Sequence, residues 1–278
     1  MRSVFAGVIT ALAIASQPAL ASCGADDGAC TVENGTYHAR LPEGEIKGAV
    51  MYLHGFGGSG EGALRSKEWV NRALDRGYVL IAPDGLPYVE ARGRGWSFIP
   101  GRPKLRDEPA FLRSVRDDAA ERFGFDADQT ILGGFSIGGS MTSYMACEAP
   151  DSFAAYAPVA GGFWRPHPTE CAGSVRLLHT HGWTDGTVPL EGRVLRGGDA
   201  TNPNALMQGD IFYTLRIWRE TNRCHQLRAD RFVTEGDFMG RAWDRCADGS
   251  ALEFALFPGG HVVPSGWADM MLDWYEAL

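Results

Sequence analysis

The chain has no Cys-x-x-Cys pair, so its six cysteines lack the spacing of a structural zinc site. It has no excess of positive charge: 26 Lys and Arg stand against 34 Asp and Glu, a net charge of −8, which speaks against a broad nucleic-acid-binding face. It shows no internal repeat and no low-complexity linker, which excludes a solenoid or a string of tethered modules. Its apolar run at residues 4–16 is shorter than a comfortable membrane span. With 45% hydrophobic and 22% charged residues, the composition is that of a globular chain, neither disordered nor a coiled coil.

What is present begins with a leader-like start. Arg2 supplies a basic residue, residues 4–16 an apolar run, and Ala19-Leu20-Ala21 a small-x-small cleavage site, in the order expected of a signal peptide over residues 1–21. Residues 22–278 then have the size of one domain. The expected location is secreted or periplasmic, with no stable membrane insertion. Leu20-Ala21-Ser22-Cys23 also resembles a bacterial lipobox, but lipidation would take Cys23 and leave Cys30 over. All six cysteines (Cys23, Cys30, Cys147, Cys171, Cys224 and Cys246) follow the leader, and an even number in an exported chain predicts disulfides. Nearest-neighbour pairing would join Cys23 to Cys30, Cys147 to Cys171 and Cys224 to Cys246; other pairings stay open.

Strand-like and helix-like segments alternate along the rest. Unbroken apolar runs at 49–53, 78–82, 130–135, 154–160, 175–179 and 252–257 suit a parallel sheet covered on both faces. Helical spacing appears at 111–123, where Leu112, Val115, Ala119 and Phe123 share a face, and helices are also expected at 138–149 and 267–278. The βαβα pattern predicts an α/β fold with a mostly parallel central sheet and helices on both faces. Residues 186–208 are rich in Gly, Asn and Pro and read as a loop excursion over the sheet's carboxyl edge, where open α/β sheets bind ligands.

Gly134-Phe135-Ser136-Ile137-Gly138 matches G-x-S-x-G, between a strand signal and a helix signal. That is the setting of a nucleophile elbow, where small flanking residues let the backbone bend and the helix start faces a developing anion. The alternative is an ordinary glycine turn, which the motif alone does not exclude. A serine nucleophile needs an acid and then a histidine later in the chain. Of the seven histidines, only His225 and His261 follow the candidate acids. His225 sits in a polar segment beside Cys224, whereas His261 follows a strand and Pro258-Gly259-Gly260, so His261 is the expected base. Asp185 is the expected acid because it follows the strand at 175–179 and the turn His181-Gly182; Asp151, Asp199 and Asp210 follow no such strand. The oxyanion hole would use the amides of Ile137 and of Phe56, the latter in His54-Gly55-Phe56-Gly57-Gly58. Trp96, Trp164 and Trp183 fall at strand-end loops and are candidate substrate-binding walls, although an aromatic is more often core. No metal and no cofactor is called for.

These motifs together resemble the extracellular poly(3-hydroxybutyrate) depolymerase and feruloyl esterase group of the α/β-hydrolase superfamily. The resemblance is carried by Ser136-Ile137-Gly138-Gly139-Ser140-Met141, by Pro150-Asp151 and Ala157-Pro158-Val159-Ala160-Gly161-Gly162, by the His181-Gly182 to Val188-Pro189 block around Asp185, by Gly260-His261 with Pro264, and by Tyr52-Leu53-His54-Gly55. It implies an α/β-hydrolase fold and a serine esterase acting on small or oligomeric esters; separately, the charge balance gives no expectation of a nucleic-acid partner, and no obligate protein partner is evident in the sequence. Phe56 stands where many relatives have cysteine or glycine, and Trp183 where a small or polar residue is usual. The chain offers no residues for an appended polymer-binding module, so soluble or amorphous esters are expected over crystalline polyester. Two rival readings stay open: a serine peptidase of the same fold, told apart by amide cleavage without ester cleavage, and a hydrolase-like binding protein, told apart by inertness to a serine-directed phosphonate.

Overall fold

Apolar runs that hide both of their faces make the middle of the molecule. In chain order the strands of the computed structural model are β1 (Cys30–Val32), β2 (Gly35–Arg40), β3 (Gly48–Leu53), β4 (Tyr78–Pro83), β5 (Leu86–Pro87), β6 (Arg94–Gly95), β7 (Thr130–Phe135), β8 (Ala155–Val159), β9 (Arg176–Gly182), β10 (Arg193–Val194), β11 (Met207–Gln208), β12 (Arg231–Glu235), β13 (Phe238–Trp243) and β14 (Ala251–Phe257). The helices are α1 (Gly60–Ala63), α2 (Lys67–Asp75), α3 (Glu108–Phe123), α4 (Ile137–Glu148), α5 (Ile211–Thr221) and α6 (Trp267–Glu276). The structure describes residues 23, 28–87, 93–195, 198–202 and 205–278, so the leader read at 1–21 lies outside the described residues.

Ten strands form one sheet in the order β1-β2-β4-β3-β7-β8-β9-β14-β13-β12. The six central strands, β4 to β14 in that order, run parallel. Antiparallel pairs close both edges, β1 and β2 on one side and β13 and β12 on the other. Every residue of β3, β4 and β8 is buried, which is why they read as continuous runs without alternation. One core layer packs Leu112, Met145, Leu177 and Trp218 against a face of the sheet. The other packs Val50, Trp69, Leu80, Trp267 and Met271 against the opposite face.

Local chemistry sets the element ends. The helix read from Phe111 begins three residues earlier, at Glu108, because Asp107 caps it by accepting from the Ala110 N–H at 3.0 Å. It ends at Gly124, whose φ of 76° is the left-handed conformation that glycine adopts without strain. One strand runs further than its sequence suggested. His181-Gly182, expected as a turn, belongs to β9, which stays paired with β14 through Leu256 opposite His181 and Phe257 opposite Gly182. Within the described part of residues 186–208, β10 and β11 pair as a short antiparallel ribbon. Disulfides join Cys23 to Cys30, Cys147 to Cys171 and Cys224 to Cys246. No helix among the described residues is long and apolar enough to cross a membrane.

Candidate active site

The sheet's carboxyl edge gathers three residues from three strands. Ser136 follows β7 directly and precedes α4, with φ 58° and ψ −120°. A non-glycine residue at such a φ is strained, and the strain turns the side chain out of the strand-to-helix bend. The bend requires glycine beside it. A Cβ on Gly134 would stand 2.6 Å from the Gly138 carbonyl, and one on Gly138 would run into the Leu53 carbonyl at the end of β3. The Ser136 N–H donates to the Val159 carbonyl at 2.9 Å, tying the bend to β8. Behind it α4 is buried along nearly its whole length, which explains the lack of an amphipathic pattern there.

Asp185 lies on the turn after β9 and His261 on the loop after β14. The two loops are joined by backbone hydrogen bonds that continue the strand pairing: the Trp183 N–H donates to Phe257 O and the Thr184 N–H to Gly259 O, both at 2.9 Å. Asp185 Oδ1 accepts from the N–H groups of Thr187 and Val188, both at 2.8 Å. Its Oδ2 lies 2.7 Å from His261 Nδ1. His261 Nε2 in turn lies 2.9 Å from Ser136 Oγ, and the imidazole rests against the Phe135 ring.

Proton bookkeeping fixes the direction of this chain. A carboxylate only accepts, so His261 Nδ1 carries a proton; the neutral ring then has a bare Nε2, which accepts the Ser136 hydroxyl proton. Burial alone would raise the Asp185 carboxyl, but the hydrogen bonds from His261, Val188 and Thr187 outweigh it and hold the group below the usual carboxylate range. The site therefore favours the carboxylate form of Asp185.

The amides expected to form an oxyanion hole are those of Ile137 and Phe56. Ile137 opens α4, so its N–H has no intrahelical acceptor. The second lies in the loop after β3. A Cβ on Gly55 would be 3.5 Å from Ser136 Cβ, so this loop passes beside the serine. His54 holds it. Its Nε2 accepts from the Gly85 N–H at 3.0 Å, so its Nδ1 is the donor to the Gly55 carbonyl at 2.8 Å. In a trans peptide the N–H points opposite to the C=O, so the Phe56 N–H faces away from the anchored Gly55 oxygen.

Of the three tryptophans expected as substrate walls, two are placed elsewhere. Trp96 is 2% exposed, and its indole N–H donates to the His54 carbonyl at 3.0 Å, so it braces the loop after β3 from inside. Trp164 is 7% exposed, and its indole N–H donates to Ser140 Oγ at 3.2 Å, supporting α4 one turn behind the serine. Both satisfy a buried indole with an internal acceptor, the ordinary fate of a core tryptophan. Trp183 is 58% exposed on the loop before Asp185, and Phe56 and Val262 are exposed on the loops beside Ser136 and His261. His225 is exposed, as expected of a surface residue. Sequence reasoning missed that His54, His179 and His181 are buried and hydrogen-bonded. The alternation of two histidines along an apolar strand was the available signal for the last two.

Comparison with known proteins fits this arrangement. The phospholipase/carboxylesterase family model of α/β-hydrolase type matches residues 38–196. The chain belongs to this family. The match includes Ser136 and Asp185, and His261 lies beyond it. NocK, an esterase candidate of Nocardia uniformis subsp. tsuyamanensis, is 35% identical over 158 residues, 55% of this chain and 43% of that one. Feruloyl esterase C of Emericella nidulans is 26% identical over 48% of this chain and 45% of its own length. Lysophospholipase-like protein 1 of Mus musculus is 27% identical over 51% of this chain and 72% of its own length. The chain thus spans less than half the length of the first and second of these relatives. Among solved structures, an acetyl xylan esterase from Aspergillus awamori superposes with a TM-score of 0.62 at 15% identity, covering 88% of this chain and 95% of that one. At that identity the likeness speaks for the fold.

Buried histidines should give the chain a distinct pH response. Burial pushes His179 and His181 below the ordinary value of 6.5. The unfolded chain takes up those protons as pH falls through about 6.5, while the folded chain does not, so stability should fall as pH drops below that point. The slope approaches about 1.4 kcal/mol per pH unit for each histidine still neutral in the fold. Asp185 acts in a separate and lower window, because its carboxyl is depressed and its contribution is lost only as pH falls below the ordinary carboxylate range. Melting temperature should therefore be flat near neutrality and decline steadily from pH 6.5 to 5. A melting temperature unchanged over that interval would count against neutral buried histidines.

Proposed function

We propose that this chain is a secreted serine esterase, exported on residues 1–21, that hydrolyses soluble or amorphous esters by acyl transfer. The observation that carries the reading is the one-way hydrogen-bond line from Ser136 Oγ through His261 to Asp185. His261 takes the serine proton as Oγ attacks the ester carbonyl, and Asp185 stabilises the resulting imidazolium. The amides of Ile137 and Phe56 receive the oxyanion. The imidazolium then protonates the leaving alcohol, and water enters through the same base to release the acid. The residues invoked account for each proton without a cofactor.

Trp183 stands two residues before Asp185, Phe56 next to Gly55 and Val262 next to His261, and their exposed side chains support an ester with an aromatic or aliphatic acyl group. Feruloyl and short acyl esters, 3-hydroxybutyrate oligomers and lysophospholipids are the classes to compare, with a peptide amide as the control for the peptidase alternative. Labelling by a serine-directed phosphonate together with turnover of at least one ester supports the proposal. Labelling with amide cleavage alone would replace it with a peptidase, and no labelling with a binding protein. Trp183→Ala should raise KM for the preferred aromatic ester by about two- to tenfold, the worth of one aromatic contact, with kcat little changed. An unchanged KM across the panel would remove Trp183 from the substrate site.

A further inference from the structure

Two histidines on β9 take no part in the chemistry above, yet both are wholly buried. Strand alternation puts His179 and His181 on one face, with their rings stacked 5.4 Å apart. His181 Nε2 lies 2.9 Å from the Val188 carbonyl. A carbonyl only accepts, so Nε2 carries the proton and Nδ1 of the neutral ring is bare. That Nδ1 lies 3.1 Å from His179 Nε2, which must therefore donate. The last nitrogen of the line, His179 Nδ1, is buried with no hydrogen-bond partner. The protons thus point one way, from His179 to His181 to the Val188 carbonyl.

Val188 is where this line meets the site. Its N–H donates to Asp185 Oδ1, and its C=O accepts from His181, so the residue is held from both sides. Asp185 Oδ2, the oxygen bonded to His261, lies 3.6 Å from His181 Nε2, beyond a good hydrogen bond. An apolar residue at 181 could fill the same space, but it would leave the Val188 carbonyl and the His179 N–H unsatisfied. A polar pair kept in a dry strand at the cost of one orphaned nitrogen points to a need for direction rather than for volume.

We propose that His181 is a positioning residue for Asp185. Through the Val188 carbonyl it holds the 185–188 turn so that Oδ2 faces His261, and His179 sets its tautomer. The inference rests on the reading of Ser136, His261 and Asp185 as a catalytic triad. The groups facing His181 are His179, Asp185 and, beyond the carboxylate, His261. A protonated His181 would compete with the His261 imidazolium for the carboxylate. Its neutrality leaves that charge to His261.

Three variants of the full chain separate direction from volume. His181→Gln can place an amide N–H near the position of Nε2; His181→Asn is too short; His181→Met has the length and no donor. With active sites counted by phosphonate labelling, Asn and Met should lower kcat on an activated ester by on the order of 10–100-fold, as for a catalytic group displaced by about 1 Å, with KM little changed. Gln should restore most of the loss. The second readout needs no substrate. The low-field proton resonance of the His261 to Asp185 hydrogen bond, identified by its loss in His261→Ala, should vanish or move upfield in Asn and Met and persist in Gln. It therefore reports on His181 even if the wild type cleaves no ester, and it can be read from Asn against Gln if the Met variant does not fold. Equal depression of all three variants, or an unshifted resonance with full turnover in Asn or Met, would overturn the proposal.

Discussion

Ser136→Ala is expected to abolish covalent labelling by a serine-directed phosphonate and to lower ester turnover by about a millionfold. Its hydroxyl lies 2.9 Å from His261 Nε2, and its strained backbone presents it to the sheet's carboxyl edge. His261→Ala should cost about as much, and the double variant little more than either, because serine and histidine act as one unit. His225→Ala should be silent, since that residue is exposed and remote in sequence from the loops that meet at Ser136. The measurements are labelling stoichiometry by intact mass and kcat on an activated ester. Full turnover in Ser136→Ala would dismiss the central proposal, and a dead His225→Ala would reassign the base.

Asp185→Asn is expected to lower kcat by about four orders of magnitude while leaving the fold and KM nearly intact. The asparagine oxygen can still accept from the Thr187 and Val188 amides that hold the turn. Its NH2, however, can now donate to His261 Nδ1. The neutral ring would then carry its proton on Nε2, facing Ser136 Oγ, and could no longer accept the serine proton. The loss thus comes from a reversed tautomer and not from a missing side chain. A melting temperature near that of wild type with a collapsed kcat is the signature; a variant within tenfold of wild type would remove Asp185 from the chemistry.

Much of the fold was legible because parallel strands are buried on both faces. The run at 130–135 matches β7 residue for residue, and those at 49–53, 78–82 and 252–257 fall within one residue of β3, β4 and β14. The edge strands were not read. β12 is Arg-Phe-Val-Thr-Glu and mostly exposed, so neither a continuous apolar run nor a clean alternation marks it. Nor was α5 assigned. Ile211, Phe212, Tyr213, Ile217 and Trp218 are β-branched or aromatic, residues as common in strands as in helices, and the hydrogen bond from the Tyr213 N–H to Asp210 Oδ1 caps a helix that tertiary packing selects.

The candidate site divides along the same line. Ser136, Asp185 and His261 could be named because each follows a readable strand in the chain order that one hydrolase architecture demands, and that order is a one-dimensional fact. Trp96 and Trp164 could not be sorted from Trp183 in this way. All three occupy strand-end loops, and whether an indole faces solvent or donates to His54 O and Ser140 Oγ depends on how those loops fold back on the sheet. His181 was likewise placed in a turn, because the sequence has no mark for how far β14 continues to pair with β9. Strand burial, the elbow and the order of the three residues are local properties of the chain. Tautomers, buried donors and the face a side chain presents depend on partners distant in sequence, and only the packed structure brings those partners within hydrogen-bond reach.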